Sequence, residues 1–340
     1  MRGAGCAGRA GVFSAVSPPE PALRSHILLC SAAIAFFAGA FASPAFTAAR
    51  AQAPTGTTLD DSIAPGNNYD KAQFRFWTTT DAAPLRGVLV LVPGSNGDGR
   101  AMAQDSVWQA FASRNKLAIV ACRFTDKPHD EGFIEEYVDV GRGSGQALLD
   151  AIGHFAARAS HPELANAPLV FWGMSAGGEF NYEFAVWKPA RVAAFVVNKG
   201  GIYYTALAPR ATRQVPALLF IGGKDLDSRI NIITGLFSLN RRGGALWALA
   251  REPDAAHIVG RSRDLSIMFF DDVLPMRLGA STDAPLRALD ERAGYLSDVK
   301  TKEIRAESTN AAGATAADWF PTERVARGWR AMETSVPFTP

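Results

Sequence analysis

A serine flanked by glycines is the first place in the chain where the residue types could do chemistry. The pentapeptide Gly-Met-Ser-Ala-Gly at 173–177 follows an apolar run at 169–172 and precedes a segment with the pattern of a helix. A strand that turns sharply into a helix exposes a serine hydroxyl at the end of a sheet. Glycine is needed on both sides because a side chain there would collide with neighbouring backbone. The stretch therefore predicts a nucleophilic serine, Ser175.

A serine hydroxyl is a weak nucleophile and needs a base, usually a histidine that is oriented by a carboxylate. When the serine lies in a strand–turn–helix, the partners follow it in the order acid, then histidine. His257 is the only histidine after Ser175, and it follows the last predicted strand. The acid is expected just after the strand at 217–221, where Asp225 and Asp227 are both available. We predict Asp225, with Asp227 as the alternative.

The tetrahedral oxyanion of acyl transfer requires two preorganised backbone N–H donors. Ala176, the residue after the nucleophile, is predicted to supply one of them. Ser95, in a glycine-rich loop at 93–99 after another apolar run, is predicted to supply the second. The side chain of Asn96 is predicted to add a contact to the substrate.

Predicted strands and helices alternate along the chain around these residues. Helical spacing of apolar residues is found at 101–114, after a predicted N-cap at Ser144, after the serine motif, and at 265–274. Apolar runs with the length of strands buried on both faces lie at 86–92, 117–122, 169–172, 192–197, 217–221 and 245–250. This alternation predicts an α/β fold with a mainly parallel, doubly wound sheet flanked by helices.

The segment before this alternation is predicted to contain a leader and one strand. Residues 51–68 are rich in Ala, Pro, Gly, Thr and Asp, which predicts an extended leader. Residues 73–77 alternate between apolar and polar with period two, which predicts an early strand at an edge of the sheet.

The N-terminus has the pattern of an export signal. An apolar run of 16 residues at 27–42 follows three arginines, and small residues at Ala40 and Ala42 offer a cleavage site. The run is shorter than the ~20 residues that a membrane-spanning helix needs. We therefore expect residues 1–51 to be a signal peptide and leader, and the protein to be secreted or periplasmic without a stable membrane anchor.

Charge, cysteine content and motif spacing exclude several other classes. The first 51 residues hold four of the 35 Lys and Arg and one of the 33 Asp and Glu, so the remainder carries 31 against 32. A near-neutral chain offers no basic field for nucleic acid. Cys122 is the only cysteine after residue 51, so no internal disulfide is expected and a buried, small hydrophobic role is predicted. Neither a nucleotide fingerprint nor metal-ligand spacing is found, so no cofactor or metal is predicted.

These motifs together resemble those of the α/β-hydrolases, and within them the secreted esterases of the polyhydroxybutyrate-depolymerase and feruloyl-esterase type. The resemblance extends over residues 86–279 and rests on the loop at 93–97, the serine motif, Gly-Gly-Lys-Asp at 222–225, and His257. One departure is Pro93, where many members have histidine. The resemblance implies a Ser-His-Asp triad, an acyl-enzyme intermediate and no cofactor.

The resemblance also predicts how the chain is divided and how open its site is. Residues 52–279 are predicted to be the catalytic domain, with a C-terminal extension at 280–340 packed on it. Many of these enzymes insert a cap domain between two strands that only 19 residues, 198–216, separate here. We therefore expect no large cap and an open cleft that admits a bulky ester or a polymer chain end, so that the substrate is a small-molecule or polymeric ester. Tyr203 and Tyr204 are predicted to contact the substrate, with buried packing as the alternative for both.

Two segments of the extension carry a helical pattern. Residues 291–304 are charged and predicted to be helical. A helix started by proline within 318–329 is predicted to bury Val325 and Trp329, which would pack the extension on the body.

Other functions of the same residues stay open at this level. An acyltransferase or a peptidase would use the same triad and differ from an esterase only in the acceptor or the bond cleaved. A noncatalytic binding protein of the same fold is a further alternative, although the joint presence of Ser175, Asp225 and His257 argues against it. The sequence thus predicts a secreted serine hydrolase that cleaves a carboxylic ester.

Overall fold

Eight of the described strands form the main sheet. The computed structural model describes residues 54–80, 84–130, 134–279, 281–298, 300–309 and 317–338. The strands are β1 (Gly56–Ile63), β2 (Lys71–Thr79), β3 (Gly87–Val92), β4 (Leu117–Thr125), β5 (Leu169–Gly173), β6 (Val192–Asn198), β7 (Ala217–Gly222) and β8 (Trp247–Glu252). Their order is β1-β2-β4-β3-β5-β6-β7-β8. The pairs β1–β2 and β2–β4 are antiparallel, and all later neighbours run parallel.

Helices cover both faces of this sheet, so β3 to β7 are apolar on both sides. The helices are α1 (Ser106–Asn115), α2 (Ser144–Arg158), α3 (Ala176–Trp187), α4 (Arg210–Arg213), α5 (Asp227–Arg242), α6 (Ser262–Arg277) and α7 (Glu323–Glu333). Val88 and Val90 of β3 belong to the core under α2, α3 and α5. Leu89 and Leu91 belong to the core under α1, α6 and α7. Alternate side chains of one strand thus enter opposite layers.

The strand order and the helix layers are those of the α/β-hydrolase fold, as predicted. The six strands predicted from apolar runs are all present, and their observed bounds differ from the predicted ones by at most three residues. Cys122 is buried in β4, and burial raises the pKa of its thiol. Between β6 and β7 the chain forms only the single turn of α4, so no large cap covers the sheet there.

Two predictions at the N-terminal side of the sheet are wrong. The sequence predicts a leader at 51–68, but residues 56–63 form β1, which pairs with β2 along its whole length. Because β1 is mostly exposed, most of its residues are polar. Leu59 and Ile63 are its only two large apolar residues, and two are too few to produce the alternating pattern that predicts a strand. β2 is not at an edge, because β1 covers it on one side and β4 on the other.

Three helix predictions also need correction. The N-cap predicted at Ser144 is wrong, because α2 begins at Ser144 itself and its hydroxyl donates to the carbonyl of Tyr137. The helix predicted at 101–114 is a 3-10 turn (Arg100–Gln104) followed by α1, whose N-cap is Asp105. No α-helix forms among the described residues of the segment 291–304, where one is predicted. That segment contains a short 3-10 turn and the strand β9 (Tyr295–Ser297), and the strand β10 (Ile304–Ala306) begins at its last residue.

The C-terminal segment packs on β8 and α6. Its strand β11 (Asp318–Phe320) pairs with β9, and α7 begins after Thr322, whose hydroxyl accepts the Val325 N–H. Val325 and Trp329 are fully buried, as predicted, and the Trp329 ring N–H donates to the Leu249 carbonyl of β8 at 2.8 Å. The helix follows Pro321 rather than starting at it. The division of the chain at residues 51 and 279 stays a prediction, and the predicted signal peptide lies outside the described residues.

Among the described residues, none of the helices combines the length and the apolar character that a membrane crossing requires.

Asp318 is a buried carboxyl group that should make stability depend on pH. Its Oδ1 accepts the Leu249 N–H at 2.6 Å, but its Oδ2 finds no hydrogen-bond partner among the described residues. Burial, reinforced by the charge of Glu333, raises the pKa of Asp318 from 3.8 to about 8. The native state therefore binds more protons than the unfolded state between these values, and the free energy of unfolding falls as the pH rises through that window.

Replacing Asp318 with Asn should remove this pH dependence, because the amide oxygen can still accept from Leu249 and carries no charge. We expect the Tm at pH 8 to rise above that of the wild type, by about 2–4 °C for each kcal/mol gained. Thermal melts at pH 5 and pH 8 check this, with the exposed Asp283→Asn as control. An equal slope of Tm against pH in Asp318→Asn and the wild type would contradict the prediction.

Candidate active site

The serine motif forms a strained turn between β5 and α3. Ser175 has φ 55° and ψ −126°, a conformation that non-glycine residues avoid because it costs energy. A Cβ atom on Gly173 would lie 2.6 Å from Asn181 Nδ2, and one on Gly177 would lie 2.5 Å from the Pro93 carbonyl oxygen. The Ser175 N–H donates to the Asn198 carbonyl at the end of β6 at 2.8 Å. The turn thus holds Ser175 at the carboxyl ends of the parallel strands.

The glycine loop after β3 lies against the nucleophile. A Cβ atom on Gly94 would be 3.5 Å from Ser175 Cβ, and the Gly97 N–H closes a tight turn on the Gly94 carbonyl at 2.9 Å. In the described part of the chain, neither the Ser95 N–H nor the Ala176 N–H donates to a protein acceptor. Two backbone donors near the serine hydroxyl are what an oxyanion requires.

His257 and Asp225 lie together at the ends of β8 and β7. His257 Nδ1 is 2.8 Å from Asp225 Oδ2. The side chain of Asp225 is 3% exposed and that of His257 is 32% exposed, so the acid is buried behind a ring that solvent reaches. Asp227, the alternative acid, is exposed as the first residue of α5. The carboxylate that contacts the histidine is therefore that of Asp225.

Several groups hold Asp225 in its charged form. Burial by itself would raise its pKa, but hydrogen bonds from the His257 ring and the Leu226 N–H outweigh it. Arg229, one helical turn further on, places Nη1 3.5 Å from Asp225 Oδ1 and adds its positive charge. The pKa of Asp225 is consequently below its ordinary value. An ionised acid on Nδ1 leaves Nε2 as the ring nitrogen that can take a proton.

No hydrogen bond joins the Ser175 hydroxyl to His257 in this structure. The two residues follow β5 and β8, whose carboxyl ends meet at one edge of the sheet with those of β6 and β7 between them. Nucleophile–base bonds are often long before substrate binds. The structure therefore places the three predicted residues at one edge, with the acid–base pair formed.

Asn96 is engaged in holding a neighbouring loop. Its Oδ1 accepts the Asp126 N–H at 2.7 Å, and its own N–H donates to the Tyr137 hydroxyl at 3.3 Å. Beside it lies a cleft of about 330 Å³. The cleft is lined by Ser95, Asn96, Asp126, Lys127, Pro128, His129, Ile134 and Glu135. Since β3 lies between β4 and β5, this cleft is on the side of Ser175 away from His257.

The two tyrosines after β6 have different environments. The ring of Tyr203 packs edge-on against Tyr182 at 5.2 Å, and its buried hydroxyl finds no hydrogen-bond partner among the described residues. Tyr204 is 47% exposed, and its N–H donates to Glu183 at 2.8 Å. Tyr203 is therefore a packing residue here, and Tyr204 is the one that a bound molecule could reach.

Two buried carboxylates of α3, Glu179 and Glu183, hold the segment after β6 and were not predicted from the sequence. Glu179 accepts the Gly201 N–H at 2.5 Å, and Glu183 accepts the N–H groups of Tyr204 and Thr205. Burial, with the charge of Glu135, raises the pKa of Glu179 to about 7, although the N–H donors and Arg229 oppose the shift. The available signal was their spacing of four residues, which places both carboxylates on one face of a mostly apolar helix.

The solved structures to which this chain is similar include two esterases. A poly(3-hydroxybutyrate) depolymerase from Bordetella parapertussis is 17% identical with a TM-score of 0.47, and the match covers 64% of this chain and 90% of that one. A ferulic acid esterase is 11% identical with a TM-score of 0.46, with 61% and 93% covered. No protein-family model and no curated protein matches the chain. Similarity at this level leaves the substrate open.

Proposed function

We propose that this protein of the α/β-hydrolase fold is a serine hydrolase that cleaves a carboxylic ester through an acyl-enzyme intermediate. The observation that carries the proposal is the buried Asp225 carboxylate bonded to His257 at the sheet edge from which Ser175 emerges. A nucleophile, a base and an orienting acid in these positions have the roles that acyl transfer requires.

Each step of the reaction has a residue to perform it. His257 Nε2 takes the proton of the Ser175 hydroxyl as its oxygen attacks the ester carbonyl, and Asp225 stabilises the imidazolium that forms. The N–H groups of Ser95 and Ala176 bind the oxyanion. The imidazolium then protonates the departing alcohol, which leaves an acyl group on Ser175. A water molecule, deprotonated by His257, then attacks the acyl carbonyl. The ester bond to Ser175 breaks, the imidazolium returns the proton to the serine oxygen, and the acid is released.

The surroundings of Ser175 favour a bulky ester, because the site is open to solvent. No large cap covers the strand ends between β6 and β7, and the cleft beside Ser95 offers about 330 Å³ on the side away from His257. Tyr204 is exposed on the segment that follows β6. We propose that a bulky ester or the end of a polymer chain enters from solvent, with Asn96 and Tyr204 near its path, and that Tyr203 contributes through its packing against Tyr182. The apolar run at 27–42 supports a secreted or periplasmic location.

A fluorophosphonate probe tests the proposal at the level of the nucleophile. We expect the wild type to be labelled and Ser175→Ala to remain unlabelled, because the probe reacts only with a serine whose base removes its proton. Turnover of p-nitrophenyl esters with acyl chains from acetate to long chains, and of methyl ferulate, then shows which size of acyl group the site accepts. Labelling without ester turnover would direct the search to peptides or acyl acceptors. A folded wild type without labelling would contradict catalysis and favour a binding protein.

Ser95→Ala is a matched control, because only the backbone of Ser95 has a role in the proposal. Its hydroxyl accepts a 3.3 Å bond from Asn96 on the exposed side of the loop. We expect kcat/KM to change by less than about threefold, against a loss of several orders of magnitude in Ser175→Ala. A large loss in Ser95→Ala would mean that its side chain, and not its N–H, contributes to the site.

A further inference from the structure

A buried ion pair lies under the loop that carries His257. Lys199, directly after β6, is completely buried, and its Nζ is 3.2 Å from Glu252 Oε2 at the end of β8. The same Nζ donates to Asn198 Oδ1 at 3.2 Å, and the Asn198 carbonyl accepts the Ser175 N–H. The pair thus connects the residue that positions the nucleophile with the strand that leads to the histidine.

Glu252 fastens both ends of the His257 loop, which comprises residues 253–260. Its backbone carbonyl accepts the N–H groups of Gly223 at 2.8 Å and Ala255 at 3.2 Å, which ties the loop to the turn bearing Asp225. Its Oε1 accepts the Arg261 N–H at 2.8 Å, where the loop ends. Gly260, at φ +55°, lies so close that a Cβ atom there would be 2.5 Å from Oε1.

Lys199 lies against Gly222, a residue that the same loop also approaches closely. A Cβ atom on Gly222 would lie 3.0 Å from Lys199 Cε and 2.7 Å from the Ala256 carbonyl, the residue before His257. The backbone of Lys199 has φ +56°, an unfavourable conformation for a residue with a side chain. Strain of this kind is maintained where the surrounding structure requires one orientation.

The charges around this pair are those of the site itself. Burial lowers the pKa of Lys199, and the carboxylates of Glu252 and Asp225 oppose that shift. Asp225 in turn faces His257 and Arg229. A buried ion pair is costly to desolvate, and apolar side chains would serve stability equally well. Its place between nucleophile, acid and base calls for a role in positioning them.

We propose that Lys199 and Glu252 are positioning residues that hold the His257 loop against Asp225 and keep the buried charge next to that loop balanced. This inference rests on the proposed function for its kinetic consequence. Loss of Lys199 alone would leave a net negative charge that favours the imidazolium, and loss of the Glu252 charge alone would leave a net positive charge that opposes it. The two single changes therefore act in opposite directions.

Three variants test this, with kcat/KM for p-nitrophenyl acetate measured against pH. Lys199→Met should move the midpoint of the acid limb upward by about half to one pH unit, and Glu252→Gln should move it downward. The double variant, neutral at both positions, should return the midpoint to that of the wild type while its rate stays reduced. Glu252→Gln keeps an oxygen for the Arg261 N–H, which makes it the least disruptive of the three.

A second readout does not depend on turnover. The chain has five histidines, so NMR of a ring-labelled sample can assign His257 by its absence in His257→Ala and follow its titration midpoint directly. The same opposite shifts are expected. Midpoints equal to that of the wild type in all three variants would overturn the proposal, even if rates fell. If the wild type is inactive but the His257 midpoint shifts as expected in the variants, the proposed function is contradicted and the positioning role is supported.

Discussion

Replacing Asp225 with Asn is expected to reduce kcat for ester hydrolysis by about 10³- to 10⁴-fold while the fold persists. The carboxylate accepts from His257 Nδ1 at 2.8 Å and from the Leu226 N–H at 2.8 Å. An asparagine oxygen can keep the Leu226 bond, but its NH₂ group then faces Nδ1. The ring responds by holding its proton on Nε2, where it can no longer accept the proton of Ser175. Steady-state kinetics with p-nitrophenyl acetate at pH 8 measure the loss, and circular dichroism checks the fold.

Asp227→Asn is the matched control for this experiment, since it makes the same chemical change two residues away. Asp227 is exposed at the first position of α5 and lies apart from the His257 ring. We expect its kcat to stay within about twofold of the wild type. A collapse of activity in Asp227→Asn with a normal Asp225→Asn would mean that the loop rearranges and that the triad acid is Asp227.

Gly177→Ala should have the largest effect on stability among the single substitutions considered for this chain. The added Cβ would overlap the Val92 carbonyl and lie 2.5 Å from the Pro93 carbonyl, both of them backbone atoms that cannot move without displacing β3. Overpacking at such a site costs on the order of 3 kcal/mol or more. At about 2–4 °C for each kcal/mol, the Tm should fall by roughly 10 °C. Fluorophosphonate labelling should fall as well, because the same shift displaces Ser175 from the glycine loop.

Gly235→Ala makes the same substitution where nothing opposes it. Gly235 is exposed inside α5, and a Cβ atom there would meet no heavy atom within 4 Å. Helix propensity then favours alanine by about 1 kcal/mol, so the Tm should rise by a few degrees. Differential scanning calorimetry of both variants gives the comparison. If the Tm of Gly177→Ala falls by no more than a degree or two, the turn at Gly177 can accommodate a methyl group and the prediction is wrong.

The prediction of the sheet succeeded because the signal for each of its parallel strands lies within one short stretch. The apolar runs at 86–92 and 217–221 predict strands buried on both faces because a parallel sheet covered by helices exposes neither face. The serine motif needs glycine on both sides because backbone from β3 approaches it closely. His257 could be chosen from the sequence because it is the only histidine after Ser175.

Elements whose stability comes from distant partners were not predictable in this way. β1 is polar and mostly exposed, and it is a strand because β2 offers it a full row of backbone partners. β9 lies within a charged stretch that carries a helical pattern, yet it is a strand because β10 and β11 pair with it from later in the chain. Ser144 has a side chain that could cap a helix, but its hydroxyl donates instead to the carbonyl of Tyr137, seven residues earlier.

The residue types proposed for the site, and their order along the chain, could be predicted from the sequence because each of them follows a strand that an apolar run predicts. The choice between Asp225 and Asp227 was left to the tertiary structure, because it depends on which carboxylate the turn after β7 directs at a ring 32 residues away. So was the pairing of Lys199 with Glu252, which are 53 residues apart. A sequence records neighbours along the chain, whereas burial and charge balance at a site come from neighbours in space.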